Sequence, residues 1–210
     1  MLTIVDYNVG NLRSVYMAFR RLGVQATVSG NAADIRRATA IVLPGVGAFG
    51  DSIANLRALH LDAPLLDAIH DGLPFLGICV GLQLLFEVSE ELGEHRGLGV
   101  IPGRVRRFRE GLVVPHMGWN QIDQTQCSPL WAGLPDGSHA YFVHSYYGEP
   151  SVPGWTVATT DYGGPFCSAV ARGNLFAIQF HPEKSQDTGE TILRNFLHIA
   201  GISFDQESAT

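Results

Sequence analysis

The spacing of apolar positions changes once along this 210-residue chain. From Leu2 to about Glu91, short apolar runs at Leu2 to Val5, Val24 to Val28, Ala40 to Leu43 and Pro74 to Ile78 alternate with stretches of helical spacing such as Leu12 to Leu22, which Gly23 closes. A short apolar run bounded by turn formers reads as a strand buried on both faces, and strands separated by helical stretches make βαβ units. This half therefore predicts a parallel sheet. From Leu98 to Phe180 strands follow one another closely, punctuated by Gly and Pro, which predicts antiparallel pairs; Leu175 to Phe180 is the last of them. Gly81 to Glu91 predicts a helix, Thr188 to Ile199 a final amphipathic one, and Asp205 to Thr210 a polar, frayed tail. With no linker, repeat or low-complexity segment, the expectation is an α/β fold with an open, doubly wound, mostly parallel sheet and additional antiparallel strands in the C-terminal half. Residues 1–202 would form one domain, with 203–210 as its tail.

Composition narrows the class. At 46% hydrophobic and 16% charged the chain is ordinary for a compact domain, and its net charge of −6 leaves no basic stripe for nucleic-acid phosphates. Arg104, Arg106, Arg107 and Arg109 are the exception, and their spacing fits either a solvated face or a contact to an anionic ligand. The longest uncharged run, Gly72 to Phe86, is shorter than the roughly 20 residues that span a bilayer and is broken by Pro74, Gly77 and Gly81, so no membrane role is expected. Three cysteines without a Cys-x-x-Cys pair argue against a disulfide framework and against zinc. No basic region precedes an apolar stretch at the N-terminus, and the expected location is the reducing cytoplasm.

Two motifs carry chemistry. Gly77-Ile78-Cys79-Val80-Gly81 places a cysteine where a strand meets a helix, the layout of a nucleophile elbow, with glycines permitting the tight turn and the helix N-terminus offering N–H groups that favour negative charge on sulfur. Phe180-His181-Pro182-Glu183 closes the strand Leu175 to Phe180, and alternation along a strand puts His181 and Glu183 on one side. Cys79 is then the nucleophile, His181 the base and later the acid, and Glu183 the carboxylate that fixes the imidazole tautomer. Alone, the first motif also fits a small buried cysteine and the second a proline closing a strand. Together at strand ends, where α/β sheets collect their reactive groups, they point to a cysteine hydrolase acting on an amide.

Gly45-Val46-Gly47-Ala48-Phe49-Gly50 matches the dinucleotide-binding fingerprint, the natural rival hypothesis. The acidic residue that should end the next strand is missing, since Asp71 precedes that strand and Cys79 ends it. The preferred reading is a flexible glycine-framed segment, Val46 and Gly47 included, that presents backbone N–H groups to an oxyanion. The N–H groups of Val46 and Val80 are the natural pair of donors, with that of Val46 aimed inward only in the competent state. No cofactor and no metal are expected.

With these residues in hand, the chain resembles the class I, triad-type glutamine amidotransferases, and among them the glutaminase subunits of imidazole glycerol phosphate synthases. Beyond the triad the resemblance rests on Asp6 to Val15, Pro44 to Asp51, Pro115 to Asn120, Tyr141 to Tyr146 and Gln179 to Ser185. Asn8 stands where glycine is common, and Val80 and Leu82 replace other apolar residues, none of which touches the chemistry. The resemblance implies glutamine hydrolysis through a γ-glutamyl thioester on Cys79, with Gln83 and the backbone around Ser145 and Tyr146 holding the amino acid. For Gln83 the alternative is a polar residue on the solvent face of its helix. His144, the rival base, lacks a carboxylate at the matching position and reads as a structural histidine. Also implied is a (β/α)8-barrel cyclase partner that receives the ammonia, contacted by Asn11, Met117, Trp119 and Lys184. The alternative for Met117 and Trp119 is core packing.

Overall fold

The computed structural model describes residues 1–204, so the polar tail expected at 205–210 lies outside the described residues. The N-terminal half runs β1 (Leu2–Val5), α1 (Leu12–Arg21), β2 (Thr27–Ser29), α2 (Ala32–Arg36), β3 (Ala40–Leu43), α3 (Phe49–Ala58), α4 (Asp62–His70), β4 (Phe75–Ile78) and α5 (Val80–Gln83). There follow β5 (Phe86–Ser89), β6 (His95–Arg96), β7 (Ile101–Arg107), β8 (His116–Gln124), β9 (Ser138–His144), β10 (Tyr146–Pro150), β11 (Thr156–Asp161), β12 (Pro165–Arg172), β13 (Leu175–Ile178) and α6 (Gln186–Ile199). Single 3-10 turns lie at Pro129–Trp131 and Pro182–Lys184.

A nine-stranded sheet in the order β2-β1-β3-β4-β13-β12-β11-β8-β9 organises the molecule. From β2 to β13 its pairings are parallel, and from β13 to β9 they are antiparallel, so the change of texture in the sequence is a change of pairing within one sheet. The inner parallel strands β1, β3, β4 and β13 are buried along their whole length, which is why they read as unbroken apolar runs, whereas the edge strand β2 is part-exposed. A second, four-stranded sheet, β10-β7-β5-β6, packs the C-terminal half. Within it Arg104 and Arg106 pair with Glu90 and Glu149 at 2.7 and 2.9 Å on an exposed face, the solvated alternative for the basic cluster. No helix of the described residues is long and apolar enough to cross a membrane.

Besides the final helix, which begins at Gln186 instead of Thr188, three boundaries differ from the sequence reading, each because backbone groups found other partners. The helix expected over Gly81 to Glu91 stops after Gln83: the carbonyls of Leu84, Leu85, Phe86 and Glu87 accept from residues 97 to 101, and the chain continues as a strand. Cross-strand pairing has overridden helical spacing. Val24 belongs to the close of α1, where Gly23 at φ 77° lets the N–H groups of Gly23 and Val24 return to the carbonyls of Arg20 and Phe19, so β2 begins only at Thr27. Finally β13 ends at Ile178, and Pro182 opens a 3-10 turn, so His181 and Glu183 meet across a turn instead of along a strand.

Candidate active site

Strands β4 and β13 lie side by side in parallel register, Gly77 opposite Ala177 and Ile78 opposite Ile178. The residues leaving their carboxyl ends, Cys79 and Gln179, therefore emerge together, and the Cys79 N–H donates to the Ile178 carbonyl at 2.8 Å. Cys79 adopts φ 55°, ψ −111°, a costly conformation for a residue with a Cβ and the signature of a nucleophile turn. Both flanking glycines are imposed by contact. A Cβ on Gly77 would lie 2.9 Å from that of Ala177, and one on Gly81 would lie 1.8 Å from the Leu43 carbonyl oxygen. Because α5 is a single turn whose Leu82 and Gln83 N–H groups bond back to the Cys79 carbonyl, the Val80 N–H is the elbow donor nearest the sulfur in sequence.

His181 Nδ1 bonds Glu183 Oε1 at 2.8 Å, and both side chains are almost wholly buried. The other ring nitrogen, Nε2, is buried without a hydrogen-bond partner among the described residues, and Cys79 raises the affinity of the ring for a proton. Burial opposes an imidazolium here, but Cys79 and Glu183 together outweigh it and hold His181 well above the usual imidazole range. Asn11, at φ 70°, donates from Nδ2 to the same Glu183 oxygen at 2.5 Å. The turn bearing the pair is tied to the edge strand β9: the His181 N–H donates to the Tyr141 carbonyl at 2.9 Å, and the Tyr141 N–H donates to Ser185 Oγ at 2.9 Å.

Cys79 and His181 open into a cleft of about 310 Å³ whose wall includes Val46, Gly47, Val80, Gln83, His144, Ser145, Tyr146 and Lys184. Gln83 Nε2 donates to the Tyr146 carbonyl at 2.9 Å and to Gln179 Oε1 at 3.1 Å, and Gln179 Nε2 in turn reaches Cys79 Sγ at 3.6 Å. The glycine segment is closed over the elbow. The Gly45 carbonyl accepts from the Val80 N–H at 3.4 Å, and because a peptide is planar with its C=O and N–H opposed, the Val46 N–H points away. Gly45 also answers the dinucleotide reading: a Cβ there would meet Tyr7 Oη at 2.6 Å and Gly81 N at 2.8 Å, so this glycine serves close packing against the elbow. Tyr7, buried and far above the usual phenol range through burial and then Cys79, donates to the Pro44 carbonyl at 2.6 Å and anchors the segment.

A family model described as glutamine amidotransferase class-I matches residues 3–200. The chain is 52% identical over 203 residues to the imidazole glycerol phosphate synthase subunit HisH of Syntrophotalea carbinolica, covering 93% of this chain and 98% of the relative. It is 51% identical over 198 residues to the subunit of the same name from Rhodopirellula baltica, covering 93% and 96%. The chain belongs to the class-I glutamine amidotransferases, in the HisH group. Among solved structures, a glutamine amidotransferase superposes with a TM-score of 0.75 at 22% identity, covering 95% of this chain and 99% of that one. PurLQS from Thermotoga maritima gives 0.76 at 18% identity, covering 94% and 97%. At such identities these two likenesses support the fold alone.

Set against the glutamine amidotransferase expectation, the structure gathers nearly every residue singled out in the sequence. Cys79, His181, Val46, Gly47, Val80, Gln83, Ser145 and Tyr146 share one cleft, with Glu183 behind the imidazole. Gln83 is buried in the cleft wall, which removes the solvent-face alternative. Met117 and Trp119 are 62% and 47% exposed on β8, which removes core packing as their role. Lys184 stands with Nζ 5.6 Å from the Tyr141 ring at the rim. Asn11, expected only at a partner surface, is bonded to Glu183. Sequence reading passed over Glu91, an acidic side chain of the cleft whose Oε2 accepts from the Phe49 N–H at 2.7 Å, and it gave no role to Gln179 or Tyr7. For Glu91 no signal was available, because the expected helix gave it no direction.

Proposed function

We propose that this chain, as one domain over residues 1–202, hydrolyses glutamine to glutamate and ammonia and passes the ammonia to a (β/α)8-barrel cyclase subunit in a cytoplasmic heterodimer. The cyclase would make imidazole glycerol phosphate and aminoimidazole carboxamide ribotide for histidine biosynthesis. The observation that carries the reading is Cys79, held at a strained φ of 55° in the same cleft as an imidazole that Glu183 orients.

In this mechanism the glutamine α-ammonium faces the Glu91 carboxylate, and the Tyr146 backbone and Gln83 hold the rest of the amino acid. His181 Nε2 already holds the Cys79 proton, as its raised range favours, and Cys79 Sγ attacks the side-chain amide carbon. The carbonyl oxygen becomes an oxyanion that accepts from the Val80 N–H and, once the Gly45–Val46 peptide inverts, from the Val46 N–H. His181 returns the proton to the leaving nitrogen, the C–N bond breaks, and ammonia departs from a γ-glutamyl thioester. Water then attacks that thioester with His181 as base, giving glutamate, freeing Cys79 and leaving the proton on His181 as at the start. Glu183 keeps Nδ1–H directed inward and stabilises the imidazolium, and Asn11 keeps Glu183 in place. Ammonia at neutral pH is largely protonated and non-nucleophilic, which gives a closed path to the partner its chemical reason. Met117 and Trp119 outside the cleft, with Asn11 and Lys184 at its rim, are the proposed contacts.

With the Gly45 carbonyl lying across the Val80 N–H, the isolated chain is a weak glutaminase. Docking of a substrate-loaded cyclase stimulates it by favouring the inverted peptide. The test is Cys79→Ala in the reconstituted complex. Glutamate release should be abolished while synthesis from added ammonium continues, and residual glutamine hydrolysis near the wild-type rate would remove the triad assignment.

A further inference from the structure

Strands β8 and β9 pair so that His116 lies directly opposite His144, and both imidazoles are buried although the mechanism uses neither. His116 is held between Tyr162, with ring centroids 4.1 Å apart, and Phe142 at 5.0 Å, each at 27° to the imidazole plane. His144 Nδ1 lies 2.8 Å from the Tyr146 carbonyl, His116 Nδ1 lies 3.2 Å from His144 Nε2, and Asn120 Nδ2 lies 3.2 Å from His116 Nε2. Asn120 itself is fixed at both ends of its amide, donating to the Asp161 carbonyl at 2.8 Å and accepting from the Gln121 N–H at 2.8 Å.

These contacts admit one assignment of protons. A carbonyl only accepts, so His144 carries its proton on Nδ1 and offers a lone pair at Nε2. His116 must then donate from Nδ1 and accept at Nε2, where the oriented Asn120 amide supplies a hydrogen. Every polar atom is satisfied with both rings neutral. Charging either ring would set N–H against N–H inside the fold. Burial agrees, lowering His116 to about 4 and His144 to about 3; for His144 it outweighs the Tyr146 carbonyl, which favours a proton there, and a charge on either neighbouring ring, His116 or His181, would oppose that proton further.

We infer that Asn120, His116 and His144 form a positioning relay that fixes the Tyr146 carbonyl, and through it Gln83, on the substrate side of the cleft. The inference deepens the glutaminase reading and rests on it. The Tyr146 carbonyl receives one hydrogen bond from the relay and one from Gln83 Nε2, whose second hydrogen goes to Gln179. The Gln83 amide is thereby turned so that its oxygen, which accepts nothing among the described residues, is left for a donor on the substrate. Without the relay the carbonyl keeps a single partner, and both the Tyr146 backbone and the Gln83 amide gain freedom that bound glutamine must remove. The cost falls on binding, and these three residues, of which His144 also lines the cleft, are positioning residues that act through the Tyr146 carbonyl.

The experiment uses the chain in complex with its cyclase and follows glutamate release against glutamine concentration. His144→Phe keeps an aromatic ring but removes the donor to Tyr146, and KM should rise about tenfold with kcat within about threefold of wild type. His144→Asn carries Nδ2 where Nδ1 stood, and it should restore KM to within about threefold. Unchanged KM in His144→Phe, or equal effects in both variants, would overturn the relay. Nitrogen-15 NMR of the wild-type histidine side chains guards against variants that fail to fold. Both rings should be neutral Nδ1–H tautomers at pH 7, and a charged or Nε2–H ring at either position defeats the inference. A wild-type complex that releases no glutamate would instead remove the glutaminase reading and leave the tautomer result standing.

Discussion

Inverting the Gly45–Val46 peptide has a cost that the structure allows us to divide. The Gly45 carbonyl contact to the Val80 N–H is long, at 3.4 Å, and breaking it costs about 1 kcal/mol or less. Inversion also turns φ of the following residue by about 180°, and Val46, which has no positive φ at present, would enter the left-handed region. For a β-branched side chain that costs about 1–2 kcal/mol. Gly47, already at φ 90°, adds nothing. The competent arrangement is then about 1–3 kcal/mol uphill in the isolated chain and populated by between about one molecule in ten and one in a hundred. Val46→Gly deletes the side-chain part of that cost and should raise partner-free glutaminase turnover by about 5- to 30-fold. Turnover in the saturated complex should change far less, because there the partner already selects the inverted form. Val46→Pro is the opposing control: it lacks the N–H and holds φ near −65°, so turnover in the complex should fall roughly 100-fold. The assay is the initial rate of glutamate release with and without cyclase, with thermal melting to confirm folding. A partner-free rate in Val46→Gly equal to that of wild type would refute the view that side-chain strain holds the donor away.

Other expectations follow from single contacts. Glu91→Gln keeps an acceptor for the Phe49 N–H but removes the charge facing the substrate ammonium, so KM for glutamine should rise about tenfold with little change in kcat, read from saturation curves. Asn11→Ala strips Glu183 of one of the two donors on Oε1 and should lower kcat about tenfold even at saturating cyclase, which separates a triad role from a purely interfacial one. Because His116 and His144 are neutral in the fold and ordinary when unfolded, the unfolded state binds more protons below about pH 6.5. Unfolding free energy from urea titration should therefore fall from pH 6.5 to 5, by at most about 1.4 kcal/mol per pH unit for His144 and by less for the more open His116, and His144→Asn should flatten that limb. His181 acts with the opposite sign, its stabilisation being present below the unfolded imidazole pKa and lost as pH rises through the raised folded value. Trp119→Ala should weaken assembly about tenfold or more by titration calorimetry while leaving the melting temperature of the free chain nearly unchanged.

The parallel half of the fold was legible because burial on both faces leaves a pattern that needs no partner to be read: the runs at Leu2, Ala40 and Pro74 became β1, β3 and β4 within a residue. Gly77, Cys79 and Gly81 were legible for a related reason, since a strained turn admits few residues. What could not be read were positions decided across the sheet. Leu84 to Glu87 follow helical spacing, and only the arrival of residues 97 to 101 at their carbonyls makes them a strand. Glu91 gains its place in the cleft from that same strand. Asn11 looked like a surface residue because its partner Glu183 is 172 positions away in sequence, and the orientation of the Gly45 peptide is a property of one torsion that no residue type encodes.

The attachment of the His181 turn to β9 bears on solubility as well as catalysis. β9 closes the nine-stranded sheet and would present a free ladder of N–H and C=O groups, a template onto which a second chain could add a strand. At its middle, Tyr141 has both backbone groups already engaged, one by the His181 N–H and one by Ser185 Oγ. The segment that carries His181 thus caps the middle of this edge against a second chain. A lesion that frees this segment, such as Ser185→Ala, exposes that edge, and its damage would be measured by light scattering in concentrated solution as well as by lost turnover.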